Sequence, residues 1–184
     1  MKKLKFIFFS LLFLVSCADL QRESYLKEIA QLQNSLREIE GSMTDARLGE
    51  ISSIKLKTMQ IELRIKQNLH LDTIDVELAK KLDAYKIMRR SIKPMMEQFA
   101  NVREGIKEEK TVLRNLRQDI KHGRGERQHY PNYIRFEKRK VEQLNELSKD
   151  YHRVKEQFFQ DYERLYPPIE ALSESLLSKN QHQQ

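Results

Sequence analysis

Reactive side chains are few in this chain of 184 residues. Its single cysteine, Cys17, follows Leu14, Val15 and Ser16 and has no second thiol with which to close a disulfide. Five histidines, at 70, 122, 129, 152 and 182, could bind a metal, but none stands at a zinc-like spacing from another histidine or from the cysteine. His122 and His129 flank one predicted turn and read as solvated turn residues. No phosphate loop, nucleophile elbow or His-Glu-x-x-His pair occurs, and the stretch "GRGER" (123–127) does not follow a strand. The acidic pair Glu108-Glu109, set between Lys107 and Lys110, reads as a solvated helix face. Neither a metal, nor a cofactor, nor enzymatic catalysis is therefore expected.

Positive charge offers a different chemistry. Residues 114–140 hold nine Lys and Arg against three acids, a net of +6. Arg117, Lys121, Arg124 and Arg127 lie around the predicted turn and are the candidates for contact with anionic lipid headgroups or lipopolysaccharide phosphates. The plainer reading is that they are solvated cations, some favourably placed at a helix C-terminus. Nucleic acid is not an expected partner, because these cations lack the interleaved exposed aromatics that stack bases.

The N-terminus says where such a surface would work. Lys2, Lys3 and Lys5 precede a run from Phe6 to Val15 that is apolar except for Ser10. At about 1.5 Å per residue that run reaches only half of a ~30 Å hydrocarbon layer, so it reads as a secretory signal rather than a membrane span. Its last residues, Leu14-Val15-Ser16-Cys17, resemble the lipobox of bacterial lipoproteins. That resemblance covers about a tenth of the chain. It implies cleavage after Ser16, a lipid (palmitate among its acyl chains) on Cys17, and a place in the bacterial cell envelope. The expected site is the outer membrane, facing the periplasm or the cell surface. Removing residues 1–16 leaves 168 residues and lowers the formal charge from +7 to +4.

Gly and Pro together number only nine, and there is no Trp, which favours long helices over a sheet. Tyr85, Met88, Ile92, Met95, Phe99, Val102, Ile106, Glu109, Leu113, Leu116 and Ile120 recur at strict 3,4 spacing, a sustained heptad seam. Asp72 is the expected N-cap of this helix, Gly123 and Gly125 lie past its end, and Pro94 should kink it without breaking it. A second seam runs Ile134, Val141, Leu144, Leu147, Tyr151, Val154, Phe158, Tyr162 and Leu165, with Pro167-Pro168 expected to end it. Ahead of both, one stripe from Leu26 to Met43 and another from Ile51 to Ile65 slip in phase near Gly41 and Gly49. A stutter in one long helix or a turn at "EGSMTD" would explain the slip; matched length favours the single helix. The alternation Ile54, Leu56, Ile61, Leu63, Ile65 is a competing strand signal.

The expected fold is all-α: an elongated antiparallel three-helix coiled coil with helices at about 20–69, 73–121 and 131–166. A short helix at 168–178 and a disordered tail at 179–184 would follow, leaving 17–178 as one helical domain. The function expected of such a chain is that of a lipid-anchored spacer, scaffold or binding partner, with protein partners or self-association open. A second reading is a periplasmic holdase, since a basic, helical, exported chain of this size is similar in outline to the Skp/OmpH chaperones. That likeness is compositional and carries no motif.

Overall fold

The computed structural model describes residues 2–44, 47–70, 73 and 75–181, with side chains from 21 to 179 within those ranges. The described residues form four α-helices and no strand: α1 (Lys2–Ser42), α2 (Leu48–Asn68), α3 (Val76–His122) and α4 (Tyr130–Gln181), with a 3₁₀ turn at Arg127–His129 before α4. The all-α expectation holds. Leu56 and Leu63, which suggested a strand, point outward from α2.

The single first helix expected over 20–69 is two helices. Ser42 turns its hydroxyl back onto the Ile39 carbonyl (2.7 Å), and Met43 N–H bonds the carbonyls of Ile39 and Glu40 as α1 closes. Chain resumes helical form at Leu48, where Arg47 reaches forward to Glu50 (Nε–Oε2 2.8 Å) and lays its guanidinium 3.4 Å from the Phe159 ring centre. The phase slip between the two stripes therefore falls where α1 has ended and α2 has not begun.

The expected N-cap Asp72 lies outside the described residues. The cap that forms is Asp75, whose Oδ1 accepts the Leu78 N–H at 2.9 Å, three residues on, as an N-cap carboxylate should. Pro94 lies inside α3 without ending it. At the other end α3 closes in a Schellman motif: Arg124 N–H bonds the Asp119 carbonyl (2.8 Å) and Gly123 N–H that of Ile120 (3.2 Å). Gly123 takes the left-handed conformation this requires, at φ 64°.

Pro167 and Pro168 do not end the last helix, contrary to expectation; α4 runs on to Gln181, and His182–Gln184 lie outside the described residues. Both prolines sit on the exposed side. The carbonyls they leave unpaired, of Glu163 and Arg164, belong to exposed residues. Meanwhile the buried stripe continues beneath them through Leu165, Ile169 and Ser173.

The chain forms two compact units, Met1–Met43 with Val102–Ser148, and Thr44–Asn101 with Lys149–Gln184. In the first, α1 lies antiparallel to α3 (Glu40–Lys110 2.6 Å; Gln33–Arg117 3.4 Å) and parallel to α4 (Ser42–Ser148 3.1 Å; Tyr25 and Tyr130 rings edge to face at 6.3 Å). Ile29, Leu36, Ile106, Leu113 and Val141 fill its core. In the second, α2 contributes Ile51, Ile54, Thr58, Ile61 and Ile65 against Tyr85, Met88, Ile92 and Met95 of α3. Phe99 and Tyr151 pack their rings 5.3 Å apart. Each unit is thus a three-helix, coiled-coil-like packing.

All eleven positions of the α3 seam are buried. The α4 seam is corrected at two places. Leu147 is 41% exposed, whereas Ser148 and Glu137 are buried. Strict 3,4 spacing from Ile134 falls on 137, 141, 144, 148 and 151, and two of those positions are polar.

Candidate functional site: a basic cleft at the α3–α4 turn

The Schellman turn and the 3₁₀ turn fold the basic segment back on the start of the first unit. Tyr130 is buried and ties the two turns together: its hydroxyl donates to the Arg124 carbonyl and lies 3.4 Å from that of Asp119. Its ring meets Tyr25 of α1, so the turn is held against the α1 face. Beside this contact lies a cleft of about 640 Å³, lined by Arg22 and Tyr25 from α1, by Lys121 and His122 at the end of α3, and by Arg127 and Tyr130 beyond the turn.

Of the four predicted contact residues, the structure brings two into this cleft. Lys121 and Arg127 line it. Arg117 does not; its Nη1 donates to Gln33 on α1 at 3.4 Å. Arg124 contributes its backbone to the turn, giving an N–H to Asp119 and a carbonyl to Tyr130. The structure adds Arg22 and His122. Arg22 was legible in principle, since a returning antiparallel helix must bring the turn back to the start of α1. His129, the other turn histidine, pairs with Glu126 (Nε2–Oε2 2.8 Å) and faces Tyr133, with ring centres 6.2 Å apart.

Arginine and lysine around an open polar cleft can do one thing well, which is to hold an anion. No acidic side chain lines the cleft among the described residues. Guanidinium groups offer paired donors to phosphate, and Lys121 offers a point charge. Among the described residues no group of three or more His, Cys, Asp and Glu is arranged to hold a metal ion.

The remaining predicted site residue, Cys17, lies in α1 before the described side chains begin. Elsewhere in the basic segment the cations have other tasks. Lys138 pairs with Glu142 at 4.0 Å, and Arg139 lies 6.0 Å from the Phe136 ring centre. Lys140 is drawn to two buried carboxylates, Glu137 (3.3 Å) and Glu109 (3.6 Å). Glu109 was expected on a solvated face with Glu108. Glu108 is exposed as expected, but Glu109 takes its seam position and is only 3% exposed.

No protein family matches this chain, and neither the curated proteins nor the solved structures hold a match.

Proposed function

We propose that the protein is a lipid-anchored component of a bacterial cell envelope, acting as a spacer, scaffold or binding partner, with its α3–α4 turn resting on anionic headgroups or lipopolysaccharide phosphates. The observation that carries this reading is the cleft at the α3–α4 turn, where Lys121 and Arg127 stand beside Arg22 of α1. Two features support it. The lipobox-like Leu14-Val15-Ser16-Cys17 ends four residues before Gln21, which lines the same cleft; on a helix that is about 6 Å of rise. A cation near an anionic membrane surface contributes about 1 kcal/mol, so three give a useful second hold beside a lipid. Among the described residues no helix is long and apolar enough to cross a membrane.

Two measurements test the reading. Cys17→Ser, or the signal-peptidase inhibitor globomycin, should leave a larger precursor and change its membrane fractionation; an unchanged size and distribution removes the anchor. Cys17→Ser protein should then bind anionic vesicles in a salt-sensitive way and neutral vesicles weakly. Neutralising Lys121 and Arg127 should lower that binding several-fold, whereas Arg117→Gln should change it less. Equal binding to neutral vesicles removes the cleft from the proposal.

A further inference from the structure

Tyr133 and Phe136, one turn apart at the start of α4, are 47% and 49% exposed, and among the described side chains no other Phe or Tyr is exposed. This corrects the expectation that the basic segment carries no exposed aromatic among its cations. Ile134 and Val141 on the same helix face the core. Phe136 has no polar atom to offer water, so leaving its ring outside forgoes the stabilisation those two gain.

The surroundings of the two rings are cationic. Arg135, Lys138 and Arg139 are exposed between and just beyond them. From Arg127 to Arg139 the one acid is Glu137, which is buried and drawn to Lys140. The Arg139 guanidinium lies 6.0 Å and the Lys140 ammonium 5.0 Å from the Phe136 ring centre. The pair also has a fixed place. Tyr133 follows by three residues the buried Tyr130, whose ring meets Tyr25 of α1 at 6.3 Å. Cys17 precedes Tyr25 by eight residues, about 12 Å of helix. The rings therefore stand at the end of the first unit that a lipid on Cys17 would bring to the membrane.

Rings and cations interleaved along one turn fit the boundary between headgroups and acyl chains. There a ring enters the apolar edge while cations meet the phosphates. Single-stranded nucleic acid draws on the same side chains, but it needs open ring faces set along a groove. Phe136 instead gives its face to Lys140, and both rings stand on the outside of a helix.

We propose that Tyr133 and Phe136 enter the headgroup–acyl boundary of an anionic membrane, with Arg135 and Arg139 on its phosphates. This rests on the membrane reading above and concerns another face. The cleft holds charge alone, whereas the two rings add an apolar contact that salt does not screen.

The test places a reporter in the full chain, which has no tryptophan of its own. Phe136→Trp keeps an aromatic ring at an exposed position. Leu147→Trp marks the same helix eleven residues on, about 16 Å farther along. Each variant is mixed with phosphatidylglycerol vesicles whose acyl chains are brominated, and with phosphatidylcholine vesicles brominated alike. Emission from Phe136→Trp should move to the blue and fall at least about twofold on the anionic vesicles, and much less on the neutral ones. Emission from Leu147→Trp should change little on either. Adding Arg135→Gln and Arg139→Gln should halve the quenching of the Phe136→Trp reporter. Neutralising Lys121 and Arg127 should weaken binding yet leave that reporter quenched in the protein that stays bound. The proposal is overturned by binding without quenching at position 136, which leaves the electrostatic contact standing. Equal quenching at positions 136 and 147, or on neutral and anionic vesicles, also overturns it. Absence of vesicle binding removes the membrane reading and this inference together. Release of the bound protein by a single-stranded oligonucleotide at equal phosphate would overturn the membrane in favour of nucleic acid, and release by polyglutamate at equal charge in favour of an acidic protein.

Discussion

The Arg127 guanidinium lies over Gly123 so closely that a Cβ built on Gly123 would sit 2.5 Å from its Nη2. One glycine therefore serves two ends. Its φ of 64° lets α3 finish in the Schellman turn, and its bare Cα gives Arg127 room to lie across the turn and reach the cleft. Gly123→Ala should cost about 1–2 kcal/mol for the left-handed backbone alone, measured by denaturant unfolding. Since Arg127 is flexible at its far end, it should swing away rather than clash. Anionic-vesicle binding by the alanine variant should fall with it. Unfolding free energy and binding both at the parent values would show that neither role is real.

Glu109 makes stability depend on pH. Burial first, and then the neighbouring Glu137, raise its carboxyl from the ordinary range near 4.5 to about 7, against the opposing pull of Lys140. Lys140 is itself raised, because the two carboxylates outweigh the burial that would lower it. Between about pH 4.5 and 7 the folded chain keeps a proton on Glu109 that the unfolded chain has released. The folded state binds more protons there, so this group's contribution to stability falls as pH rises through that window and levels off above it. Glu109→Gln should remove that fall. The variant should be more stable than the parent by about 1–3 kcal/mol at pH 8, with the gap closing toward pH 5. A gap that widens toward acid would reverse the assignment.

The eleven α3 seam positions were legible because one helix alternates its neighbours at 3 and 4 residues in both units, so a single period runs its length. Glu109 belonged to that period, but its burial was hidden, since neighbouring Glu108 and Lys110 make the local sequence look solvated. The α4 seam failed at Leu147 for the opposite reason: hydrophobicity was followed where spacing should have been, and the true register lands on Ser148 and Glu137. The turn after Ser42 was ambiguous because a phase slip alone does not say whether a helix stutters or stops. Pro167-Pro168 misled because proline breaks a helix by removing donors, and here the affected carbonyls belong to exposed residues. In the basic segment the net charge was legible and the division of labour was not. Which cations reach the cleft depends on Gly123, Tyr130 and Gln33, each a tertiary contact.

Three prolines inside long helices should therefore be stabilising to replace. Pro94 lies exposed within α3, and Pro167 and Pro168 lie exposed within α4. An interior proline costs about 3 kcal/mol relative to alanine, part of it already offset where a kink suits the packing. Pro94→Ala should leave stability unchanged or raise it, and Pro167→Ala should raise it by about 1 kcal/mol or more. A loss above about 1 kcal/mol at Pro94 would mean that the kink itself is needed.

Phe99 and Ile106 anchor the two units from one helix. Phe99 packs on Tyr151 in the second unit and Ile106 is 2% exposed in the first. Truncating either to alanine should cost roughly 2–5 kcal/mol, the usual range for a large core side chain. Lys107, paired at 3.5 Å with Glu104 across exposed side chains, should tolerate alanine within about 0.5 kcal/mol. Lys110 holds Glu40 on α1 at 2.6 Å, also at the surface, and should lose no more than about 1 kcal/mol. Comparable losses at all four positions in thermal unfolding would contradict the register.

The buried serines separate a satisfied polar group from an orphaned one. Ser148 is 3% exposed in the first unit, yet its hydroxyl lies 3.1 Å from that of Ser42 and 3.3 Å from the Met43 sulfur. Ser173 is fully buried in the second unit, and its Oγ has no partner. A net hydrogen bond contributes about 1 kcal/mol, whereas a buried polar atom without one carries a desolvation penalty of about 1–3 kcal/mol. The same substitution should then act with opposite sign. Ser148→Ala should destabilise by up to about 1 kcal/mol, because the hydroxyl contact that joins α4 to Ser42 is lost while Ser42 keeps only the Ile39 carbonyl. Ser173→Ala should stabilise by about 1 kcal/mol and raise the helix content that survives on heating. Equal shifts at the two sites, read by circular dichroism on the same preparation, would show that the hydroxyls' surroundings do not govern the outcome.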